Sequence, residues 1–317
     1  MSAVEQKVRG RRRHLAVVGD EAVINTEVEP TSTYPIPVIA CWGSAGSPGK
    51  STIATNIASE LTLAGHRVLL IDLDTLAPSL ALALGLVDTP AGLSACLRLA
   101  EQQRFTRDEF DRLTVSIALG RHELRFMPGI NSAHRWQEVT PERIEKLLMA
   151  MASFVDYVVL DLPQATDFKA RVLHPSTLAN QDQLSRDALL RSVLEKATKL
   201  VLISGCDAVA AQRFLSVAEY LAELGRTSQV YVVVNRFRTS TLGARANDEL
   251  EQTYLNLAKL RIDCFIPDDS LNIDKAMLNG LPLALLKRSS PARLAISQLT
   301  KQLLVGSTTR ASVAKLS

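Results

Sequence analysis

A strand, a glycine-rich turn and a helix follow one another directly near the start of this sequence, and this unit limits the folds open to the chain. Residues 36–42 are apolar and rich in Ile and Val, which is typical of a strand. The turn over residues 46–52 reads Gly-Ser-Pro-Gly-Lys-Ser-Thr. Apolar side chains then recur at Ile53, Ile57 and Leu61, the spacing of one helix face. A turn ending in Gly-Lys-Ser between a strand and a helix has the geometry of a phosphate-binding loop.

The turn also has the chemistry that binds a nucleoside triphosphate. Its glycines let successive backbone N–H groups turn toward phosphate oxygens, and the following helix adds the positive end of its dipole. Lys50 supplies a charge for the β- and γ-phosphates, and the Ser51 hydroxyl is a Mg²⁺ ligand. The strict motif has glycine six residues before the lysine, where this chain has Ser44. A serine- and glycine-rich turn that merely contains a lysine therefore remains an alternative.

Short apolar segments alternate with amphipathic segments from residue 36 onward. This alternation is typical of βαβ units. We predict an α/β fold of the P-loop type, a doubly wound and mostly parallel sheet with helices on both faces. The predicted strands are 36–42, 67–73, 123–127, 156–161, 199–204, 229–234 and 262–266. The predicted helices are 50–64, 91–101, 141–153, 185–197, 208–224, 245–259 and 291–304.

One folded domain and two terminal segments make up the predicted organisation. Residues 1–34 carry a basic cluster without sustained periodicity and are predicted to be a mostly disordered arm, either a tether to an anionic surface or a solvated tail. Residues 35–305 form the P-loop domain, and residues 306–317 a frayed tail. The polar stretch 164–184 is long for an α/β connection and is either a lid or partner-binding loop or a tolerated insertion.

Composition and charge exclude several classes of protein. The net charge of +3 is too small to predict nucleic-acid or membrane binding by itself. No apolar run approaches the roughly 18 residues of a membrane span, and no signal peptide is recognisable, so we expect a cytoplasmic protein. The four cysteines are scattered without a C-x-x-C pair, and the five histidines lack ligand spacing. We therefore expect neither disulfides nor a structural metal site.

Carboxylates follow two of the predicted strands where each strand ends. Asp72 and Asp74 close the second strand, and Asp161 closes the fourth. Ligands of open α/β sheets lie beyond the carboxyl ends of the strands, so these acids are expected to face the phosphates. Asp161 would hold Mg²⁺, usually through a water molecule. The predicted metal site is Ser51, Asp72 and Asp161, and residues 75–79 are a predicted switch loop.

An amide side chain, Asn235, ends the sixth predicted strand. An amide has both a donor and an acceptor, which suits the edge of an adenine ring. A turn-forming asparagine after a strand is the alternative interpretation.

In this order, the motifs resemble those of the ParA/MinD-type ATPases, P-loop proteins with a deviant Walker A sequence. The resemblance extends over residues 36–305, nearly the whole predicted domain. The Ser-Pro-Gly form of the loop and the preceding Trp42 look most like the CpaE/TadZ branch, whose members help localise pilus-assembly and secretion machinery. The matching motifs lie at residues 46–52, 70–74, 158–163, 233–236, 266–269 and 280–283.

The resemblance implies an ATP-bound sandwich dimer that opens after hydrolysis, with ATP and Mg²⁺ as cofactors. Lys50 and Asp74 are the implied catalytic residues, with Asp74 positioning the attacking water. Asp161 would serve the metal, Asn235 the adenine, and residues 267–268 would flank the base. The implied nucleotide-binding residues are Gly46, Ser47, Pro48, Gly49, Lys50, Ser51, Thr52, Asn235, Arg236, Pro267 and Asp268.

One position departs from the family pattern. The family's signature lysine, five residues before the phosphate-loop lysine, reaches across the dimer to the partner's phosphates; this chain has Ala45 there. Comparable cationic fingers contribute roughly 10³–10⁵ in rate. Either Arg213 or Arg236 replaces it, or turnover is very slow and the protein acts chiefly as a scaffold.

The sequence thus predicts an ATPase that forms an ATP-dependent dimer switch and organises a pilus or secretion machine. A catalytically weak nucleotide-binding scaffold dimer is one alternative, and a DNA-partitioning or division-site ATPase is another. The expected partners are a second copy of the chain and proteins of the positioned machine. Scattered basic residues give only weak support for nucleic acid as a partner. The tail from Gly306 lacks the bulky apolar face of a peripheral membrane helix.

Overall fold

The structure is a computed structural model that describes residues 34–46, 48–86, 88–89, 92–164, 181–226, 229–238 and 246–305. The predictions for most of the N-terminal arm, for residues 165–180 of the polar stretch and for the tail from Gly306 lie outside these residues. Tyr34, the first described residue, is buried against the core.

An eight-stranded sheet forms the centre of the domain, in the order β3-β4-β2-β5-β1-β6-β7-β8. All neighbouring strands are parallel except β3 and β4, which are antiparallel. The predicted α/β fold with a mostly parallel sheet is confirmed. The strands are β1 Val38–Gly43, β2 Val68–Asp72, β3 Val115–Leu119, β4 His122–Met127, β5 Tyr157–Asp161, β6 Lys199–Gly205, β7 Val230–Phe237 and β8 Ile262–Pro267.

Helices cover both faces of this sheet, because successive side chains of each strand point to opposite sides. In β1, Val38, Ala40 and Trp42 pack into one apolar cluster, whereas Ile39 and Cys41 pack into the other. The α-helices are α1 Lys50–Leu63, α2 Leu80–Ala83, α3 Gly92–Glu101, α4 Arg107–Leu113, α5 Pro141–Ala150, α6 Gln181–Lys196, α7 Ala208–Glu223, α8 Ala246–Ala258, α9 Ser270–Leu278, α10 Leu283–Leu286 and α11 Pro291–Leu304. A 3-10 helix spans Ala133–Glu138.

Local signals placed several helix ends correctly. Thr140 caps α5 by accepting a hydrogen bond from the backbone N–H of Arg143, and Pro141 occupies the first turn. Ser290 caps α11 in the same way, through the backbone N–H of Arg293. These caps act within one turn of chain, so they are readable from sequence.

The edge strand β3 is absent from the sequence prediction. Val115–Leu119 forms an antiparallel hairpin with β4 around Gly120, which has φ +66°. Its apolar residues alternate with Ser116 and Ala118 over only five residues, a pattern that is short and weak. The short helices α4, α9 and α10 were likewise not predicted, because each is too brief for periodicity to show.

None of the described helices is long and apolar enough to cross a bilayer. The four cysteines are all free; Cys41 and Cys96 are buried, and Cys206 and Cys264 are partly buried.

An ion pair between α1 and α11 generates a stability prediction. The Arg293 Nε donates to Glu60 Oε1 at 2.7 Å, and both side chains are largely shielded from solvent. We expect Glu60→Ala to lower the free energy of unfolding by about 1–3 kcal/mol, because it leaves a shielded guanidinium without its partner. Urea denaturation measures this loss.

The matched control is Glu195→Ala, which breaks the exposed pair of Glu195 with Arg191. Exposed pairs of this kind contribute about 0.3–0.5 kcal/mol. Equal losses in the two variants would contradict the prediction.

Candidate functional site

The predicted phosphate loop joins the carboxyl end of β1 to the start of α1. Gly49, the residue before the helix, has φ +94°, and no side chain caps the helix there. A Cβ at Gly49 would lie 2.4 Å from Asn235 Nδ2, so both the backbone conformation and the space require glycine. The first turn of α1 is therefore left open to an anionic ligand. Ser47 lies outside the described residues.

Lys50 lies in the first turn of α1 with only 9% of its surface exposed. Its ammonium makes no ion pair or hydrogen bond with any residue that the structure describes. A shielded charge of this kind is costly unless an opposite charge is bound beside it. Its place at the start of the helix fits a phosphate ligand.

Asp72 and Asp161 are neighbours, because β2 and β5 pair in register at these two residues. The two carboxylates have different surroundings. Asp72 accepts hydrogen bonds from the backbone N–H groups of Asp74, Ser79 and Leu80, at 3.0–3.2 Å. Neither carboxylate oxygen of Asp161 has a hydrogen-bond partner among the described residues, although Asp161 is only 1% exposed. Asp72 thus holds the switch loop, and Asp161 is left available.

Burial raises the pKa of both carboxyls. For Asp72 it reaches about 7, with the charge of Asp74 adding to the rise and the backbone hydrogen bonds opposing it. For Asp161 burial raises the pKa to about 8, the charge of Asp72 adds to the rise, and the nearby Ser51 hydroxyl and Lys50 ammonium oppose it. A cation bound at this point would favour the ionised form of both groups.

The switch loop predicted at residues 75–79 lies against the start of α1. Asp74 is half-buried, and its Oδ1 accepts hydrogen bonds from the backbone N–H groups of Leu76 and Ala77, both at 2.9 Å. The Ser79 and Ser51 hydroxyl oxygens are 3.4 Å apart. The sequence placed Ser79 in the predicted switch loop but assigned it no role of its own. The position of the loop after the acidic end of β2 was the available signal.

Asn235 lies under the phosphate loop rather than at its outer edge. Its Nδ2 donates to the carbonyl oxygen of Pro48 at 2.8 Å, while its buried Oδ1 has no hydrogen-bond partner in the described part of the chain. Arg236 next to it is exposed and has a left-handed φ of +55°. The structure therefore places Asn235 in contact with the loop, which the sequence did not predict.

The remaining predicted residues lie at the ends of neighbouring strands. Pro267 ends β8 and is half-buried, as is Asp268. The Asp268 carboxylate accepts a hydrogen bond from the Ser270 hydroxyl and lies 3.4 Å from Arg238 Nε. These two residues thus belong to the same edge of the sheet as Asn235, separated from β1 by β6 and β7.

The donor set fits Mg²⁺ only together with a phosphate group. In the described part of the chain, no three His, Cys, Asp or Glu side chains come together to hold a metal ion. Ser51 and the unpartnered Asp161 instead offer oxygen atoms on one side, as hard cations require. Phosphate oxygens and water would complete the coordination.

The raised pKa values predict how stability depends on pH in metal-free and nucleotide-free protein. Because the folded carboxyls hold protons more tightly than the unfolded ones, their contribution to stability is lost as pH rises from about 4 toward about 8. We expect Asp161→Asn to flatten this decline, since the amide has no proton to lose. Urea denaturation at about pH 5 and about pH 8 gives the free energies of unfolding, and their difference measures the decline. The exposed Asp274→Asn is the control, and equal slopes in all proteins would contradict the prediction.

Comparison with known proteins agrees with this geometry. The family described as the CobQ/CobB/MinD/ParA nucleotide binding domain matches residues 39–283. An uncharacterized ATP-binding protein of Methanocaldococcus jannaschii is 23% identical over 268 residues, which are 84% of this chain and 87% of that protein.

Solved structures share the fold. A ParA family ATPase from Chlorobium tepidum superposes with a TM-score of 0.66 at 20% identity, covering 84% of this chain and 98% of that one. The septum site-determining protein MinD of Pyrococcus horikoshii, complexed with Mg-ADP, gives a TM-score of 0.61 at 18% identity, covering 86% and 98%. With a family match over most of its length, the chain belongs to the CobQ/CobB/MinD/ParA nucleotide-binding family.

Proposed function

We propose that this protein binds ATP with Mg²⁺ and hydrolyses it slowly to ADP and phosphate, as the switch of a positioning system in the cytoplasm. The observation that carries the proposal is the pair of buried ionisable groups beside the phosphate loop, Lys50 and Asp161, for which the described residues provide no hydrogen-bond partner. Lys50 carries a positive charge, and a bound cation would favour the ionised form of Asp161. A phosphate chain with its metal ion would satisfy both.

Each residue of the loop has a separate task in this proposal. The backbone N–H groups of Gly46 and Gly49 and of the first turn of α1 would surround the phosphates, and Lys50 would neutralise their charge. Ser51 would ligate Mg²⁺, and Asp161 and Asp72 would hold the ion through water or directly. When bound, the ion would supply positive charge that neutralises the phosphate oxygens.

Asp74 is proposed to position the water that attacks the γ-phosphorus. The new bond forms between the water oxygen and phosphorus, the bond to the oxygen of the β-phosphate breaks with ADP as the leaving group, and Asp74 accepts the proton of the water. Asp74 is half-buried and lies two residues beyond the buried Asp72, at the same strand end. Its hydrogen bonds to the backbone of residues 76–77 would tie water positioning to the conformation of the loop.

The adenine end would lie at the carboxyl ends of β7 and β8. The unpartnered Oδ1 of Asn235 is an acceptor for the exocyclic amino group of adenine. Arg236, Pro267 and Asp268 would flank the base. Because Asn235 also donates to Pro48, base binding would be linked to the shape of the phosphate loop.

The wider role rests on the motif resemblance described above. We propose a homodimer that recruits proteins of a pilus or secretion system, as in the CpaE/TadZ branch. A scaffold dimer that binds ATP with little turnover is the second candidate. The observation that favours it is the uncharged Ala45, where a catalytic cation would otherwise reach the partner's phosphates.

Lys50→Ala tests nucleotide binding. We expect ATP affinity to fall roughly 10- to 100-fold, because a shielded charge-assisted contact to phosphate contributes about 1.5–3 kcal/mol. Isothermal titration with Mg-ATP measures it, and the exposed Lys146→Ala serves as the control. If the unmodified protein does not bind ATP, the proposal is wrong.

The variant Asp74→Asn distinguishes an ATP-hydrolysing switch from a scaffold that binds ATP with little turnover. We expect this variant to keep its ATP affinity while phosphate release falls roughly 10²- to 10⁴-fold, the usual contribution of a positioned proton acceptor. Single-turnover phosphate release measures it. If the unmodified protein binds ATP but releases no phosphate above the Lys50→Ala background, the scaffold is supported instead.

A further inference from the structure

An arginine from outside the predicted phosphate loop lies against the start of that loop. Arg213 belongs to α7, which follows β6, and β6 pairs directly with β1. Its Nη1 donates a long hydrogen bond, 3.4 Å, to the carbonyl oxygen of Ala45. A Cβ added at Gly46 would be only 2.5 Å from the same Nη1. The guanidinium therefore rests on the backbone of residues 45–46.

The position of this arginine is set by the core beneath it. The next residue, Phe214, is fully buried, and its ring lies 4.8 Å from the ring of Tyr254. The Tyr254 hydroxyl in turn donates to Ser204 Oγ at 2.7 Å, within β6. Asp207 caps the start of α7 by accepting from the backbone N–H of Ala210. The cap at Asp207 and the packing of Phe214 thus fix the first two turns of the helix that carries Arg213.

The residues that the structure describes leave most of the hydrogen-bonding capacity of Arg213 unused. A guanidinium has five N–H donors, and the long contact to Ala45 engages one of them. The side chain is exposed, and within the described residues it makes no ion pair. A neutral carbonyl at 3.4 Å is a weak partner for a cation that phosphate would bind in a fork geometry.

Two other arginines near this edge are arranged differently. Arg236 is exposed at the end of β7, and no hydrogen bond joins its side chain to the described part of the phosphate loop. Arg238 is paired with Asp268. Arg213 is therefore the arginine of this group that contacts the loop.

We propose that Arg213 binds the phosphate chain of the nucleotide within the same subunit, supplying the cation that Ala45 lacks. This inference rests on the proposed ATP binding. The guanidinium would exchange its long contact with the Ala45 carbonyl for charge-assisted hydrogen bonds to phosphate oxygens. No backbone rearrangement is required, since the group already lies over the loop.

A purely structural role, in which Arg213 only holds the loop in shape, makes a different prediction. A loop clip would act in the absence of nucleotide, and its loss would speed hydrogen exchange at the backbone amides of residues 45, 46 and 49. A phosphate ligand acts only when nucleotide is bound. The two roles are therefore separable by measurements on free and bound protein.

The test compares Arg213→Ala, Arg213→Lys and a control on the same helix, the exposed Gln212→Ala. Isothermal titration with Mg-ATP gives the affinities, and hydrogen exchange of nucleotide-free protein reports on the loop. We expect Arg213→Ala to weaken ATP binding roughly 10- to 100-fold, as expected for a charge-assisted contact, with loop exchange unchanged. Arg213→Lys should recover part of the affinity, and Gln212→Ala should match the unmodified protein.

Several outcomes would overturn the inference. Unchanged ATP affinity in Arg213→Ala, with affinity still lost in Lys50→Ala, refutes Arg213 alone and leaves ATP binding standing. Weaker binding together with faster loop exchange and no recovery in Arg213→Lys assigns a structural role instead. Absence of ATP binding in the unmodified protein refutes both proposals.

Discussion

Burial of charged groups at the carboxyl ends of three adjacent parallel strands is the constraint on which this molecule depends. Strands β2, β5 and β1 lie side by side and end at one edge, so Asp72, Asp161 and Lys50 are brought together and shielded from water. Two carboxylates and one ammonium at such a place oppose folding unless something compensates them. Backbone N–H groups compensate Asp72, whereas the described residues provide no hydrogen-bond partner for the other two side chains.

The same arrangement explains how binding would reach the surrounding loops. Asp72 accepts a hydrogen bond from the backbone N–H of Ser79, and this bond attaches the switch loop to the carboxylate pair. On the other side, Asn235 attaches the end of β7 to Pro48 within the phosphate loop. A ligand bound between the phosphate loop and the carboxylate pair would therefore contact elements attached to both halves of the sheet. Such sites trade stability of the free protein for function.

The positions of Arg213 and Ala45 are relevant to whether the protein is an ATP-hydrolysing switch or a scaffold that binds ATP with little turnover. A cation that reaches the phosphates from within the subunit would make charge neutralisation independent of dimer formation, unlike a residue donated across an interface. Its contact with the loop is long and engages one donor, so little free energy would be lost on release. The chain thus has a cation in reach of the loop, although its sequence motif has none at residue 45.

The sequence by itself determined the strand–turn–helix unit, seven of the eight strands, and the residues at the strand ends, because periodicity, glycines and helix caps act over a few neighbouring residues. It did not reveal β3, which is a short edge strand with weak alternation. Only the tertiary structure decided which carboxylate is satisfied, and that Asn235 and Arg213 contact the loop across 187 and 168 residues of chain. These contacts follow from the strand order, which places β1 between β5 and β6, and no local pattern encodes that order.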